Sequence, residues 1–457
     1  MKRFIETLKN IWKIKELRER ILFTITLIGA YRLGAFVVLP GVVPGALNEA
    51  IKSQSTGAPN LLDLINVFSG GAFNSASVFA LGIMPYITAS IIIQLLGFAV
   101  PYFQRLQQKE GESGRKTLSQ ITRLLTVAIT LVQGGAYLTY VKSLGAVDPT
   151  VSDSVFWLSG IIILSTGTIF AMWLGERITD RGIGNGVSLL ITVGIIASLP
   201  FAFVAELEGR LAAGGFLMFV IEMAALFLVA MATVLIVTGV RKIPIQFAKR
   251  MVGRGSSSIP VAGARDYIPL KLNAAGVMPI IFAQALMFLP GMAAQMGGEG
   301  AQSNSFIMAL NDFTSAPYNL IYFGMVVLFT YVYTALIVNP GNYADYLKRQ
   351  NAFIPGIKPG KPTEEYIDSV TTRVTLPGSI FLGLIAIMPA FAAAVGINNV
   401  FAAFFGGTSL LILVGVVLDT LQQIESHLLM RRYDGLVKDG RVEGRSGSRM
   451  QGIGANM

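Results

Sequence analysis

The chain has no cysteine and a single histidine, His427, in 457 residues. The first absence excludes disulfides and thiolate metal sites. The second excludes a multi-histidine metal centre and the HExxH metalloprotease motif. Charge is also scarce. Only 14% of residues are charged, 53% are hydrophobic, and the mean hydropathy is +0.62. Soluble domains carry about a quarter charged residues, so the composition is that of a polytopic membrane protein. Intramembrane hydrolysis needs a serine–base pair, an aspartate pair or a metal, and neither GxSxG nor GxGD occurs. Charges inside apolar segments are few: Arg32, Glu222 and Asp419. Proton relays and ion-coupled carriers keep ionisable groups near the midplane. An enzyme is therefore disfavoured, and no cofactor or metal is expected.

What is present is a series of apolar segments near the ~20 residues that a bilayer requires. Ten spans are expected, at 21–40, 76–100, 121–141, 155–174, 187–204, 216–238, 274–293, 318–338, 375–394 and 400–420. Lysine and arginine test this register. Of 36 such residues, 32 fall in the two termini and the even-numbered loops. That asymmetry is the positive-inside pattern, which predicts cytoplasmic N- and C-termini. It also accounts for the net charge of +10 without nucleic acid, and juxtamembrane cations of this kind attract anionic lipid. Seven basic residues precede a full-length first span with no small-residue cleavage pattern, so a cleavable signal peptide is not expected. Residues 446–457 read as a disordered tail.

Two stretches repeat one pattern. Leu81-Gly-Ile-Met-Pro-Tyr-Ile-Thr-Ala89 aligns with Ala275-Gly-Val-Met-Pro-Ile-Ile-Phe-Ala283. Each lies in an apolar segment, where Pro85 and Pro279 remove a backbone donor and bend or break the helix. Matched breaks point to internal repeats with a pathway between them; two unrelated kinked helices are the alternative. One segment fits no span. Leu61–Phe73 is apolar but short and carries Asp63 and Asn66, which suits a re-entrant piece turning back at Gly70-Gly71, or else an interfacial helix.

Two long loops lie on the basic side, 240–271 and 339–372. The first opens with the alternating run Lys242–Phe247, which predicts a strand. It continues through Lys249, Arg250 and Arg254 to a turn-prone Gly-Ser run, so a hairpin with a basic tip is expected. The second holds the Pro/Gly turn Phe353–Gly360, with Lys358 in it. Basic tips suit an anionic partner such as ribosomal RNA or an acidic protein face; a solvated inside-positive loop reads equally well. Gly182–Gly186 is glycine-rich but follows no strand, and is expected to be a flexible, closely packed entry to span five.

Several of these residues resemble the SecY family, the channel subunits of the bacterial Sec translocase. The resemblance rests on Asn66–Leu96, Arg181–Ser188, Pro269–Phe282, Ala352–Pro362 and Gly406–Leu411, in family order across nearly the whole chain. It implies an all-α polytopic fold of ten transmembrane helices in two pseudo-symmetric inverted halves. The halves are 1–204 and 205–445, with a plug at about 61–75. A waist of isoleucine-like side chains maps to Ile87, Ile91, Val187, Ile191, Ile281 and Ile412. The plug maps to Asn66, Phe68, Ser69, Gly70 and Gly71. A lateral gate between spans two and seven maps to Pro85, Thr88, Ser90, Gln94, Pro279, Gln284 and Leu289. Docking of a motor or ribosome maps to Lys249, Arg250, Arg254 and Lys358.

The implied function is that of a central pore-forming subunit. It moves unfolded polypeptides across the bacterial plasma membrane and inserts membrane proteins through the gate. The implied partners are small membrane subunits resembling SecE and SecG, a motor ATPase resembling SecA, the ribosome, and polypeptides bearing signal sequences. A secondary transporter for a small solute is the runner-up, since that class also uses broken helices in inverted repeats. It would need polar groups at the break, where this chain has Ile87 and Ile281.

Overall fold

The computed structural model describes residues 12, 14–54, 66–108, 111–212, 214–248, 250–252, 259–261, 265–296, 309–310 and 312–438. Helix dominates. In chain order the elements are α1 (Lys15–Gly34), α2 (Ala46–Gln54), α3 (Met84–Ala99), α4 (Pro101–Gln108), α5 (Gly111–Ser143), α6 (Asp153–Arg181), α7 (Gly186–Ala212) and α8 (Phe216–Thr238). Four strands follow: β1 (Val240–Phe247), β2 (Arg250–Val252), β3 (Ile259–Val261) and β4 (Arg265–Lys271). Then come α9 (Met278–Met296), α10 (Ala316–Ile337), α11 (Pro340–Arg349), β5 (Ala352–Phe353), α12 (Lys361–Ala394), α13 (Asn399–Ala402) and α14 (Gly407–Lys438). Spans one to ten correspond to α1, α3, α5, α6, α7, α8, α9, α10, α12 and α14.

Seven of these helices are long and apolar enough to cross a bilayer, while α3 and α9 are shorter apolar helices. They are short for a shared reason. In each, the proline of the repeated motif is the second helical residue, where a missing N–H costs nothing. The glycine two places before each helix, Gly82 and Gly276, has φ of +53° and +65°, a left-handed conformation that suits glycine. The repeated motif therefore starts each helix instead of kinking it. The expected span 76–100 is helical only from Met84, because residues 70–83 run in turns.

The first span also stops early. The helix α1 ends at Gly34, and the chain then pairs with the non-helical stretch through an antiparallel bridge of Val38 with Ser77. Leu39 N–H donates to the Ala76 carbonyl at 2.8 Å, and Val78 N–H to the Val37 carbonyl at 2.9 Å. The entry to span five is fixed where flexibility was expected. Ile183 N–H donates to Thr24 Oγ1, Gly184 N–H to Gln423 Oε1, and Gly186 N–H to Thr179 Oγ1. Spans one, four and ten thereby hold one turn.

The two long loops form a single unit. A three-stranded sheet has the order β4-β1-β5, so the second loop supplies an edge strand to the first loop's hairpin. Ile243 sits opposite Ile268 in the register, and Gln246 opposite Phe353. Alternation along β1 and β4 buries Ile243, Ile245, Ile268 and Leu270 on one face, packed with Leu347, Ile354 and Ile367. Loops of this length without a core are uncommon; these two share one. Ile367 on α12 is fully buried in it. Ile367→Ala should cost about 2–5 kcal/mol through the cavity it leaves. Limited proteolysis should then cut both 240–271 and 339–372 faster. Accelerated cleavage in one loop alone would mean that they fold separately.

Candidate functional site

The largest apolar cluster gathers side chains from both ends of the chain. Ile87, Ile91, Ile191 and Ile412 are all buried in it, and Val187 and Ile281 pack against it. Two of the cavities that border this cluster are lined by the isoleucines. The larger, about 490 Å³, is lined by Tyr86, Ser90, Gln94, Arg123, Glu176 and Ser188 among others, and is bounded by Ile87, Val187, Ile191 and Ile281. Arg123 and Glu176 form a bidentate pair on its wall, at 3.2 and 2.7 Å. The smaller cavity, about 20 Å³, is lined by Ile87, Ile191, Ile281 and Ile412 with Met84, Gln284, Thr408 and Phe68. That is room for about one water molecule.

Ile87, Ile191 and Ile281 border both spaces. They therefore form a layer one side chain thick between a polar vestibule and a tight apolar constriction. Ile91, only 1% exposed, belongs to the same cluster but lines neither cavity. Val187 borders the vestibule alone. Met84, Gln284 and Thr408, which also line the smaller cavity, were not among the residues mapped to a waist.

Phe68 closes the constriction from the other side. It belongs to a helical turn at 66–69 that precedes the non-helical stretch. Local bonds shape this segment. Gly71 N–H donates to the Asn66 carbonyl at 2.9 Å, Ser69 Oγ accepts from Phe73 N–H at 3.0 Å, and Asn66 Oδ1 accepts from Asn74 N–H at 3.1 Å. Two longer contacts anchor it. Arg32, the one cation in the 21–40 apolar run, donates to the Gly70 carbonyl at 2.9 Å. Tyr137 OH donates to the Phe73 carbonyl at 2.7 Å. The segment rests on α7 at Gly194, where an added Cβ would lie 2.4 Å from the Phe68 carbonyl oxygen. Arg32 and Gly194 were not among the expected plug residues. An isolated cation in a span carries a recognisable signal; one glycine among 49 carries none.

The helices α3 and α9 touch. They are antiparallel in register about Ile87 and Ile281. Ser90 and Gln94, whose side chains stand 3.3 Å apart, border the vestibule with Met278, whereas Gln284 borders the constriction with Met84. So Ser90 and Gln94 lie nearer Met278 than Gln284 in this seam. Thr88 Oγ1 bonds back to the Met84 carbonyl at 3.0 Å, and Pro85 and Pro279 sit in the first helical turns. Leu289 lies on α9 with its side chain outside the described residues, as does that of Arg250 on β2. Lys249 and Arg254 lie outside the described residues altogether. Lys358 is exposed on its turn, and its carbonyl accepts from Thr363 Oγ1 at 2.9 Å.

The model of the SecY family matches residues 77–421. The chain belongs to the SecY family. It is similar to the protein translocase subunit SecY of Mycobacterium bovis, at 42% identity, covering 95% of this chain and 99% of that one. Among solved structures it resembles a protein-conducting channel at a TM-score of 0.62 and 17% identity, covering 89% and 91% of the two chains. It also resembles Sec61 in a canine ribosome–channel complex from the endoplasmic reticulum, at a TM-score of 0.60 and 17% identity, with the same coverage. The fold is thus the ten-span fold of this family, and the chain is a multi-pass membrane protein.

The close approach at Gly194 yields a prediction. Within a helix, Gly→Ala normally stabilises by about 1 kcal/mol, so any loss must come from the neighbour. Gly194→Ala should push the 66–71 turn off α7 and raise ion flux through the resting protein in vesicles. Wild-type flux, with an unmoved spin label at Asn74, would contradict the packing described.

Proposed function

We propose that this chain is the pore of a protein-conducting channel in the bacterial plasma membrane, with both termini in the cytoplasm. One observation carries the reading: a layer of aliphatic side chains separates a polar vestibule from a constriction capped by Phe68. Such a layer holds no charge and no fixed ligand. It excludes water and ions by dewetting when closed. It also binds no passing segment tightly, so any unfolded sequence can slide through. The turn at Asn66–Gly71 acts as the plug and withdraws when a polypeptide enters.

Residues 1–204 and 205–445 form two halves that part along the seam of α3 and α9. Parting exposes the pathway to lipid, where an apolar signal sequence or a future membrane span can partition. The chain supplies no catalytic step of its own. Work comes from a motor ATPase or a translating ribosome docked on the shared sheet unit and its basic turns, Lys358 among them. The likeness to Sec61 in a ribosome–channel complex supports the ribosome as a partner. Small membrane subunits of the SecE and SecG kind embrace the two halves, and anionic lipids surround the basic margins. The solute-carrier alternative lacks support, because the breaks before α3 and α9 present isoleucine where a carrier needs polar ligands.

The seam provides the test. A disulfide requires Cα atoms within roughly 7 Å, and this cysteine-free chain gives a clean background. Met84→Cys with Gln284→Cys, and Ser90→Cys with Met278→Cys, should cross-link at rest, stop export, and recover on reduction. A long flexible cross-linker at the same pairs should inhibit much less. Export that continues with the short link in place would refute the gate.

A further inference from the structure

Three charged side chains meet where span five passes into span six. Glu206 is 3% and Glu222 2% exposed. Arg210, one turn beyond Glu206 on α7, reaches both. Its Nε donates to Glu206 Oε1 at 2.8 Å, and its Nη2 stands 2.6 Å from Glu222 Oε1 on α8. Nη2 also donates to the Gly396 carbonyl at 2.8 Å, in the loop between α12 and α14. The second Glu206 oxygen accepts from Asn398 N–H at 2.9 Å. One guanidinium thus ties α7 to α8 and to the 396–398 loop. Beside it Phe203 of α7 meets Phe219 of α8 and Phe401 of α13 edge-on, with centroids 5.4 and 6.4 Å apart.

Stability is a poor explanation for this cluster. Desolvating each ion costs several kcal/mol, and a well-packed apolar replacement is often neutral or better. What buried ions supply is geometry: Arg210 makes short, directional bonds to Glu206 and the Gly396 carbonyl, and it holds Glu222 by close charge contact, without hydrogen-bond geometry. The geometry here has a particular placement. Glu206 and Arg210 lie on the last turns of α7, the final span of the first half, where that helix runs on past residue 204, and Glu222, Gly396 and Asn398 come from the spans and loop of the second half. Spans five and ten, which carry Ile191 and Ile412 to the constriction, touch. Spans two and seven supply the other two waist isoleucines.

We propose that Arg210, clasped by Glu206 and Glu222, is a positioning residue that fixes the pivot about which the two halves part. The inference rests on the two-half channel reading above. The clasp keeps spans five and six in register while the seam opens, and it sets the resting balance towards closed. Neither glutamate is asked to titrate or to touch the substrate.

The test uses the full-length complex in lipid vesicles, with Arg210→Met, Glu206→Gln and Glu222→Gln. Each should raise the resting open probability about tenfold, the factor given by ~1.4 kcal/mol of lost bias. Each should also lower the resting yield of the Met84–Gln284 disulfide and admit substrates with weakened signal sequences. Closing that disulfide in the Arg210→Met background should return the leak to the wild-type level. Variants that accumulate with unchanged leak and disulfide yield would overturn the proposal. So would a lowered melting temperature with no change in leak, because that is a structural role only. If Arg210→Met fails to accumulate, the near-isosteric Glu222→Gln decides by the same two readouts. The control separates the two ideas. If the disulfide alone does not stop export, the channel reading has failed. If it does stop export and no clasp variant leaks, only the clasp has failed.

Discussion

A membrane interior offers no partner to an unpaired backbone group, and the rest of this structure depends on how that constraint is met. Residues 70–83 lie among the spans in turns and not in a helix. Turn bonds within the segment satisfy part of their polar groups, and neighbouring elements take others. Arg32 takes the Gly70 carbonyl, Tyr137 the Phe73 carbonyl, and the 37–39 strand pairs with 76–78. Once these groups are paired inside protein, a non-helical segment can sit at the centre of the bundle. Phe68 can then face the isoleucine layer. The same constraint dictates that α3 and α9 begin where they do. Each needs a residue that turns left-handed and then a residue that needs no donor, which is the Gly-x-Met-Pro order.

The aliphatic layer and the segment beyond it are held by different forces. Contacts among Ile87, Ile191, Ile281 and Ile412 are dispersive and non-directional. Fully burying one such side chain contributes about 1.5–3 kcal/mol, and a passing apolar segment can replace the contact without new geometry. The 66–74 segment is held by hydrogen bonds of specific direction from Arg32 and Tyr137. A side chain inserted from the vestibule meets the soft layer first. Only after the layer parts does it reach Phe68. If this segment is the plug, as proposed, such an order lets a substrate, and not a fluctuation, displace it.

Much of this was legible in the residues. The ten spans follow from apolar runs and from the placement of lysine and arginine, because both are local properties. The equivalence of Ile87 and Ile281 follows from the repeat, and the structure puts both on one constriction. Other features depend on contacts between distant segments. That β5 completes the β4-β1 sheet could not be read, because a two-residue strand has no periodicity to detect. Nor could the role of Gly194, which is defined by the carbonyl of Phe68 more than a hundred positions away. The non-helical run 76–83 was read as helix because its composition is as apolar as its neighbours'. Only the bridge to Val38 reveals that its backbone is paired sideways. Ile91 maps to the waist with Ile87 only through the family resemblance, and in the structure it lies in the packed cluster and lines neither cavity.

The contrast between layer and clasp also decides where motion can occur. Removing one partner from a buried ion pair costs about 3–5 kcal/mol, because it strands the other charge. Breaking one isoleucine contact costs less, and the loss is recovered when another apolar group arrives. In the proposed two-half channel, a force that separates the halves finds the seam of α3 and α9 weaker than the Glu206–Arg210–Glu222 junction. On that proposal the seam yields and the junction turns. The placement of charge and of aliphatic side chains in this chain is then one design. Ions sit where register must be kept, and featureless hydrocarbon lies where the contact must be lost and remade around whatever passes.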